Sequence, residues 1–159
     1  AAVNAFYNRR DCGFLEAEVR TLDGIPVAGR KVGMVGYMIG HSNITAGLLA
    51  PAGKVYIMDR EQKPGAYPDT ACEFFLPECD LVIVTGSAAI NKTMPRILEL
   101  SRNAEVILTG PSVSCQPALL ELGIRRLNGR IITDPEPMLR AVTEKRTSVN
   151  AFSVTFQTD

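Results

Sequence analysis

The stretch LVIVTGSAAINKT, residues 81–93, decides the fold. A run of apolar β-formers ends abruptly at Thr85-Gly86-Ser87, and the chain then passes through Asn91, Lys92 and Thr93 into an amphipathic segment. The plan recurs once: VILTGPSVSCQPALLEL begins at Val106 as VIVTGSAAINKTMPRILEL begins at Val82. Two strands stop at the same kind of loop, and each is apolar on both faces, so each needs cover on both faces.

Working outward, the same rhythm of short apolar strand, loop and helical stretch appears at KVGMVG (31–36), KVYIMD (54–59), DLVIVTG (80–86) and EVILTG (105–110). Helices are expected at 42–50, near 69–77, at 91–102, at 115–122 and at 136–145. In the third, Met94, Ile97, Leu98 and Leu100 form an apolar stripe, with Arg96, Glu99 and Arg102 left for solvent. The expectation is an α/β domain with a mainly parallel sheet in an order near 2-1-3-4-5. The other common order, 3-2-1-4-5, needs an extra strand between residues 60 and 79, where QKPGAYPD is too rich in turn formers to supply one. GIRRLNGRIIT (123–133) is expected to add one or two short strands, turning at Asn128-Gly129.

The flanks read differently. AAVNAFYN (1–8) looks like the end of a helix with no capping signal before it, and EAEVRTLDGIPVAG (16–29) alternates around a turn at Asp23-Gly24. Residues 1–29 are thus expected to be a linker helix and a hairpin or arm, the remnant of a preceding domain. Residues 30–147 form the main domain, and 148–159 a C-terminal arm or edge strand.

Composition narrows the function. At 159 residues the chain is long enough for one domain with a real core, and its 46% hydrophobic content is ordinary for a soluble protein. Seventeen basic residues balance seventeen acidic ones, and no basic block exceeds a pair, so nucleic acid is not an expected partner. No apolar run approaches the roughly 20 residues of a membrane span, and a cytoplasmic protein is expected. Cys12, Cys72, Cys79 and Cys115 contain no CxxC pair, and His41 is the sole histidine, which is not a zinc-site signature. The expectation is packed, reduced thiols, with a soft metal meeting one or two of them as the alternative.

In an open parallel sheet, ligands bind beyond the carboxyl ends of the strands. Gly33, Gly36 and Gly40 match a dinucleotide fingerprint only loosely, in the spacing G-x-x-G-x-x-x-G. Asp59 ends the second strand, where a carboxylate can accept from ribose hydroxyls. His41 lies beside Ser42, a good N-cap, and so near the crevice, with a ligand, metal or proton-transfer role open to it. Thr85, Gly86, Ser87, Asn91 and Thr93 offer backbone access and neutral polar groups, and Gly110, Pro111 and Ser112 repeat the theme. Both Thr-Gly loops are expected to form one wall of a single cleft, with Gly86 and Gly110 leaving a ligand room to reach the backbone. Capping by Ser87 or Asn91 is the structural alternative. No Ser-His-Asp order, paired catalytic carboxylates or Walker lysine emerges.

The motifs DREQKPGAYPD, LPECDLVIVTGSAAINKT and LTGPSVSCQPALLELGIRRLNGRIITDPE, with the turn at Gly36, resemble the heavy-metal-chelation domain family, a domain of unknown function. The resemblance covers roughly residues 30–142. It implies a Rossmann-like three-layer domain, preceded in its relatives by a smaller domain similar to the enolase N-terminal fold, with a ligand cleft between the two. The expected function is binding of a small molecule, a transition metal or a metal complex at the carboxyl end of the sheet. The alternative is an enzyme with a nucleotide-type cofactor, such as an S-adenosylmethionine-dependent transferase. A second copy or a partner subunit in place of the first domain is a further expectation.

Overall fold

The computed structural model describes residues 2–9, 21–41, 44–61, 63–132, 135–144 and, as backbone, 152–157. Seven strands form one sheet: β1 (Lys31–Val35), β2 (Lys54–Asp59), β3 (Tyr67–Pro68), β4 (Leu81–Thr85), β5 (Glu105–Thr109), β6 (Ile124–Ile131) and β7 (Phe152–Gln157), in the order β3-β2-β1-β4-β5-β6-β7. All neighbours are parallel except β6 and β7, which are antiparallel. The five expected strands keep their expected order. β1 lies between β2 and β4, so the loops after these three strands converge at one point on the carboxyl edge.

The alternation of side chains divides the core into two layers. Val82 and Val84 of β4 point to one face, where they meet Tyr56, Met58, Leu76, Met94, Ile97 and Leu108. Leu81 and Ile83 point to the other, where they meet Val32, Met34, Leu22, Ile25, Ile44 and Leu49. Both faces are covered, which is why the central strands are apolar throughout.

Helices on the two faces are shorter than their sequence periods suggest. They are α1 (Ala2–Tyr7), α2 (Ala46–Leu49), α3 (Cys72–Phe75), α4 (Ser87–Ile90), α5 (Met94–Leu100) and α6 (Pro135–Thr143). Of the helix expected at 91–102 only Met94–Leu100 forms, as α5; a separate short helix, α4, precedes it, and Lys92 takes a left-handed conformation (φ 65°) between the two. Pro95 sits in the first turn of α5, where its missing N–H has no cost. α2 is capped by Thr45, whose hydroxyl accepts from the Leu48 amide, rather than by Ser42, which lies outside the described residues.

Three further corrections concern turn formers. Asn128-Gly129 is not a hairpin turn: β6 runs straight through it, paired with β5 on one side and with β7 on the other. Within 62–69, Tyr67 and Pro68 do form a strand, two residues long at the sheet edge, where a proline is tolerated. The helix expected at 115–122 is a 3-10 turn over Pro117–Leu122. Of the arm at 16–29, only Thr21 onward is described; it makes a turn closed by the Ile25 amide on the Leu22 carbonyl.

Candidate functional site

A cavity of about 780 Å³ opens at the carboxyl edge where β1, β2 and β4 end. Its floor is apolar: Val35, Met58, Cys72, Ala88 and Ile97 are buried side chains that line it, with the half-buried Leu100 beside them. Polar groups stand around this floor. Gly36, Tyr37 and His41 come from the loop after β1, Asp59 from the end of β2 and Arg60, Glu61 and Lys63 from the loop after it, and Thr85, Ser87, Asn91 and Thr93 from the end of β4 through α4 to α5. Asp69, Thr70, Glu73 and Arg96 of α5 complete the rim.

The loop after β1 is fixed by Asp59. One carboxylate oxygen accepts from the Tyr37 amide at 2.5 Å and the other from the Glu61 amide at 2.7 Å. Each of the oxygens that could meet a ribose thus already serves a backbone N–H, and the residue ties the end of β2 to the turn after β1. Charged acceptors of this kind contribute roughly 1.5–3 kcal/mol per bond. Asp59→Asn, which can accept only one of the two amides, is expected to cost about 1.5 kcal/mol in urea unfolding.

Gly36 has φ 92°, and its amide donates to the Met58 carbonyl at 2.8 Å. A Cβ there would lie 2.7 Å from the Thr85 methyl, so the β1 turn rests directly on the end of β4. The Ser87 hydroxyl donates to Oγ1 of the same Thr85 at 3.2 Å. Asn91 Oδ1 accepts from the Thr93 hydroxyl at 2.7 Å and from the Thr93 amide at 3.3 Å. Asn91 thus closes a local turn onto Thr93, the residue before α5, but does not cap the helix, whose first turn receives no side-chain hydrogen bond; its amide nitrogen makes no hydrogen bond among the described residues.

The cations of the rim are paired. Arg60 Nε meets Asp69 at 3.0 Å and Lys63 meets Glu61 at 2.6 Å. Arg96 grips both oxygens of Glu73, at 2.9 and 2.5 Å, and also reaches Glu99 at 2.6 Å. This hydrogen-bonded guanidinium holds the Glu73 carboxyl below the usual carboxylate range. The pairs are about half exposed, so each is worth little by itself. The Arg96–Glu73 pair joins α3 to α5 at the side of the cavity.

The two Thr-Gly stops, alike in sequence, are placed differently. Thr85 faces the cavity, whereas Thr109 is fully buried and its hydroxyl lies 3.0 Å from Thr21 Oγ1 and 3.3 Å from Asn128 Oδ1. Gly86 and Gly110 continue the ladder, donating to the carbonyls of Thr109 and Asn128. A Cβ on Gly86 would be 2.5 Å from the Val113 nitrogen and 2.7 Å from the Ser112 carbonyl carbon, so this glycine allows one loop to lie on the other. The second loop is held from outside by α1: Asn4 and Asn8 donate to the Val113 carbonyl, and Asn8 accepts from the Cys115 amide at 2.7 Å. Gly36, His41, Asp59, Thr85, Ser87, Asn91 and Thr93 thus share the cavity, and Gly86, Gly110, Pro111 and Ser112 do not line it.

The residues that sequence reasoning missed are those of α3, α5 and the loop after β2: Arg60, Lys63, Cys72, Glu73, Arg96 and Ile97. The helical stripe marked Ile97 as core, but nothing local marks Glu73 and Arg96 as partners 23 residues apart.

Cys72 and Cys79 are buried free thiols, Cys115 is fully buried, and Cys12 lies outside the described residues. Burial pushes the Cys72 thiol up to about 11 and Cys79 up to about 12, so both are protonated at neutral pH. The raised values stabilise the fold below the range of a free thiol and withdraw that contribution as pH climbs toward 11 and 12. In a Cys12→Ser chain at neutral pH, Ellman's reagent is expected to find almost no reactive thiol until denaturant is added, and then all three. Among the described residues, no three His, Cys, Asp or Glu side chains are grouped to hold a metal ion. No helix among them is long and apolar enough to cross a membrane.

A doubly covered parallel sheet with a cavity at the carboxyl edge of its central strands defines a Rossmann-like α/β domain. The chain belongs to the family described as "Putative heavy-metal chelation", whose model matches residues 25–153. An uncharacterized protein of Methanocaldococcus jannaschii is 31% identical over 117 residues, covering 69% of this chain and 44% of that protein. A crystal structure of a family member of unknown function from Desulfitobacterium hafniense superposes with a TM-score of 0.82 at 32% identity, covering 99% of this chain and 66% of that one. A second, from Pyrococcus horikoshii, has a TM-score of 0.74 at 19% identity over 89% of this chain and 60% of its own length, and shares the fold. The chain thus spans less than two thirds of each of these relatives.

Proposed function

We propose that this domain binds a small organic ligand or a metal complex in the cavity at the carboxyl edge of the sheet, and that any metal arrives already held by a chelator. The observation that carries this reading is the make-up of the cavity, an apolar floor under a rim of hydroxyls, an amide, backbone groups and cations already paired with carboxylates. Such a lining is typical of sites for organic molecules. A bare transition metal is usually held by three or more converging side-chain ligands, and among the described residues no three His, Cys, Asp or Glu side chains come together. The family description supports a link to heavy metals.

Thermal shift tests it, with zinc, copper and cobalt salts alone and with the same metals carried by organic chelators. Stabilisation is expected from a complex or its chelator and not from the salts, and it should be lost in Asn91→Ala and Ser87→Ala. Tight equimolar uptake of a bare ion by metal-free protein, abolished by His41→Ala, would replace this reading with direct chelation.

A further inference from the structure

We propose that the ligand of this cavity is an amphipathic organic molecule without net negative charge, its apolar body on the floor formed by Val35, Met58, Ala88 and Ile97 and its polar end at Asn91 and Thr85. This deepens the reading above and rests on it.

The charge inventory carries the argument. Three cations line the cavity, Arg60, Lys63 and Arg96, against four carboxylates, Asp59, Glu61, Asp69 and Glu73. Each cation already has a carboxylate partner within 3.0 Å. An incoming anion would have to displace one of these carboxylates and then share the cavity with it, and close like charges oppose binding. Asp59 adds a negative charge whose hydrogen bonds come from backbone amides rather than from a cation.

The floor makes the complementary case. Met58 is already fully covered by the protein, while Val35, Cys72, Ala88 and Ile97 keep small apolar remnants and the half-buried Leu100 a larger one, and an apolar surface gains by covering these. Above that floor the Asn91 amide nitrogen and the hydroxyl of Thr85 are among the groups with open hydrogen-bonding capacity. They offer donors to a carbonyl, ether or ring nitrogen. A compact inorganic ion would leave the floor unused.

A matched pair of dyes separates the two halves of the proposal. N-Phenyl-1-naphthylamine is uncharged, and 1-anilinonaphthalene-8-sulfonate is the same ring system with one negative charge. The expected result is a single site per chain for the neutral dye, bound at least tenfold more tightly than the sulfonate. Ala88→Met, which fills the floor, should weaken the neutral dye at least tenfold. Ser87→Gln, an exposed rim position whose change spares the core, should weaken it too and decides the matter where Ala88→Met fails to fold. Asp69→Asn combined with Glu73→Gln should bring the sulfonate to within about threefold of the neutral dye. Equal or tighter binding of the sulfonate by the unmutated chain overturns the charge assignment and leaves the cavity reading standing. Absence of neutral-dye binding overturns the assignment of an apolar ligand body. Neutral-dye binding indifferent to both Ala88→Met and Ser87→Gln overturns the cavity as the site, and the proposed function with it.

Discussion

Gly86→Ala is expected to lower the stability of the domain by about 3 kcal/mol, the upper part of the range for forcing an extra methyl into a packed interior. The backbone angle is not the obstacle, since Gly86 is helical at φ −57° and any residue can adopt that. The obstacle is space. A Cβ would lie 2.5 Å from the Val113 nitrogen and 2.7 Å from the Ser112 carbonyl carbon, and main-chain atoms cannot swing aside as the end of a side chain can. Relief would require moving the 110–115 loop, which is tied to α1 through Asn4 and Asn8 and to β6 through the Gly110 amide on Asn128. Urea unfolding of the variant should show a lower midpoint with an unchanged slope. A midpoint equal to that of the unmutated chain would mean that this loop yields readily. The expectation that this glycine leaves a path for a ligand is thereby reversed: its missing side chain makes room for the neighbouring loop.

Gly36→Ala should have an effect of the same size by a different route. An L-residue at φ 92° is strained by about 1–2 kcal/mol, and the new Cβ would lie 2.7 Å from the Thr85 methyl. Together these are expected to cost about 3 kcal/mol. Only the second part depends on Thr85, so a double-mutant cycle can separate them. Thr85→Ser deletes the methyl but keeps the hydroxyl that accepts from Ser87, and it should restore roughly 1 kcal/mol to the alanine variant. Full additivity of the two substitutions would show that the β1 turn does not rest on the end of β4. Because Gly36 lines the cavity and Gly86 does not, only the Gly36 variant is expected to change dye affinity as well.

The sheet could be read from the sequence because its signal is local. Leu81–Val84 and Val106–Leu108 are unbroken apolar runs, and the turn-rich 62–69 segment leaves β1 to pair with β4 rather than supplying a strand to separate them. What could not be read depends on contacts between distant segments. Asn128-Gly129 has the composition of a hairpin turn, yet strands on both sides hold it extended. Thr109 resembles Thr85 in every local respect, and only burial beside Thr21 and Asn128 sets it apart. The strand-end loops pointed to seven residues of the cavity. The wall formed by α3 and α5 arises from helix packing that brings Glu73 to Arg96, for which no spacing rule exists.

β6 has a further consequence for how the chain can be shortened. Its residues Leu127, Asn128 and Gly129 are buried, and its outer side is paired only through β7, the last described segment. Cutting the chain before Phe152 would turn an eight-residue strand, interior to the sheet, into an unprotected edge. Natural edges carry charges, prolines or bulges that discourage pairing with another molecule. Although β6 carries Arg125, Arg126 and Arg130, the backbone of Arg126–Ile131 is paired with β7, and a fragment without that neighbour would present this stretch as a template for intermolecular pairing. The segment 152–157 therefore acts as a guard against self-association, and it belongs in any fragment prepared for the binding experiments.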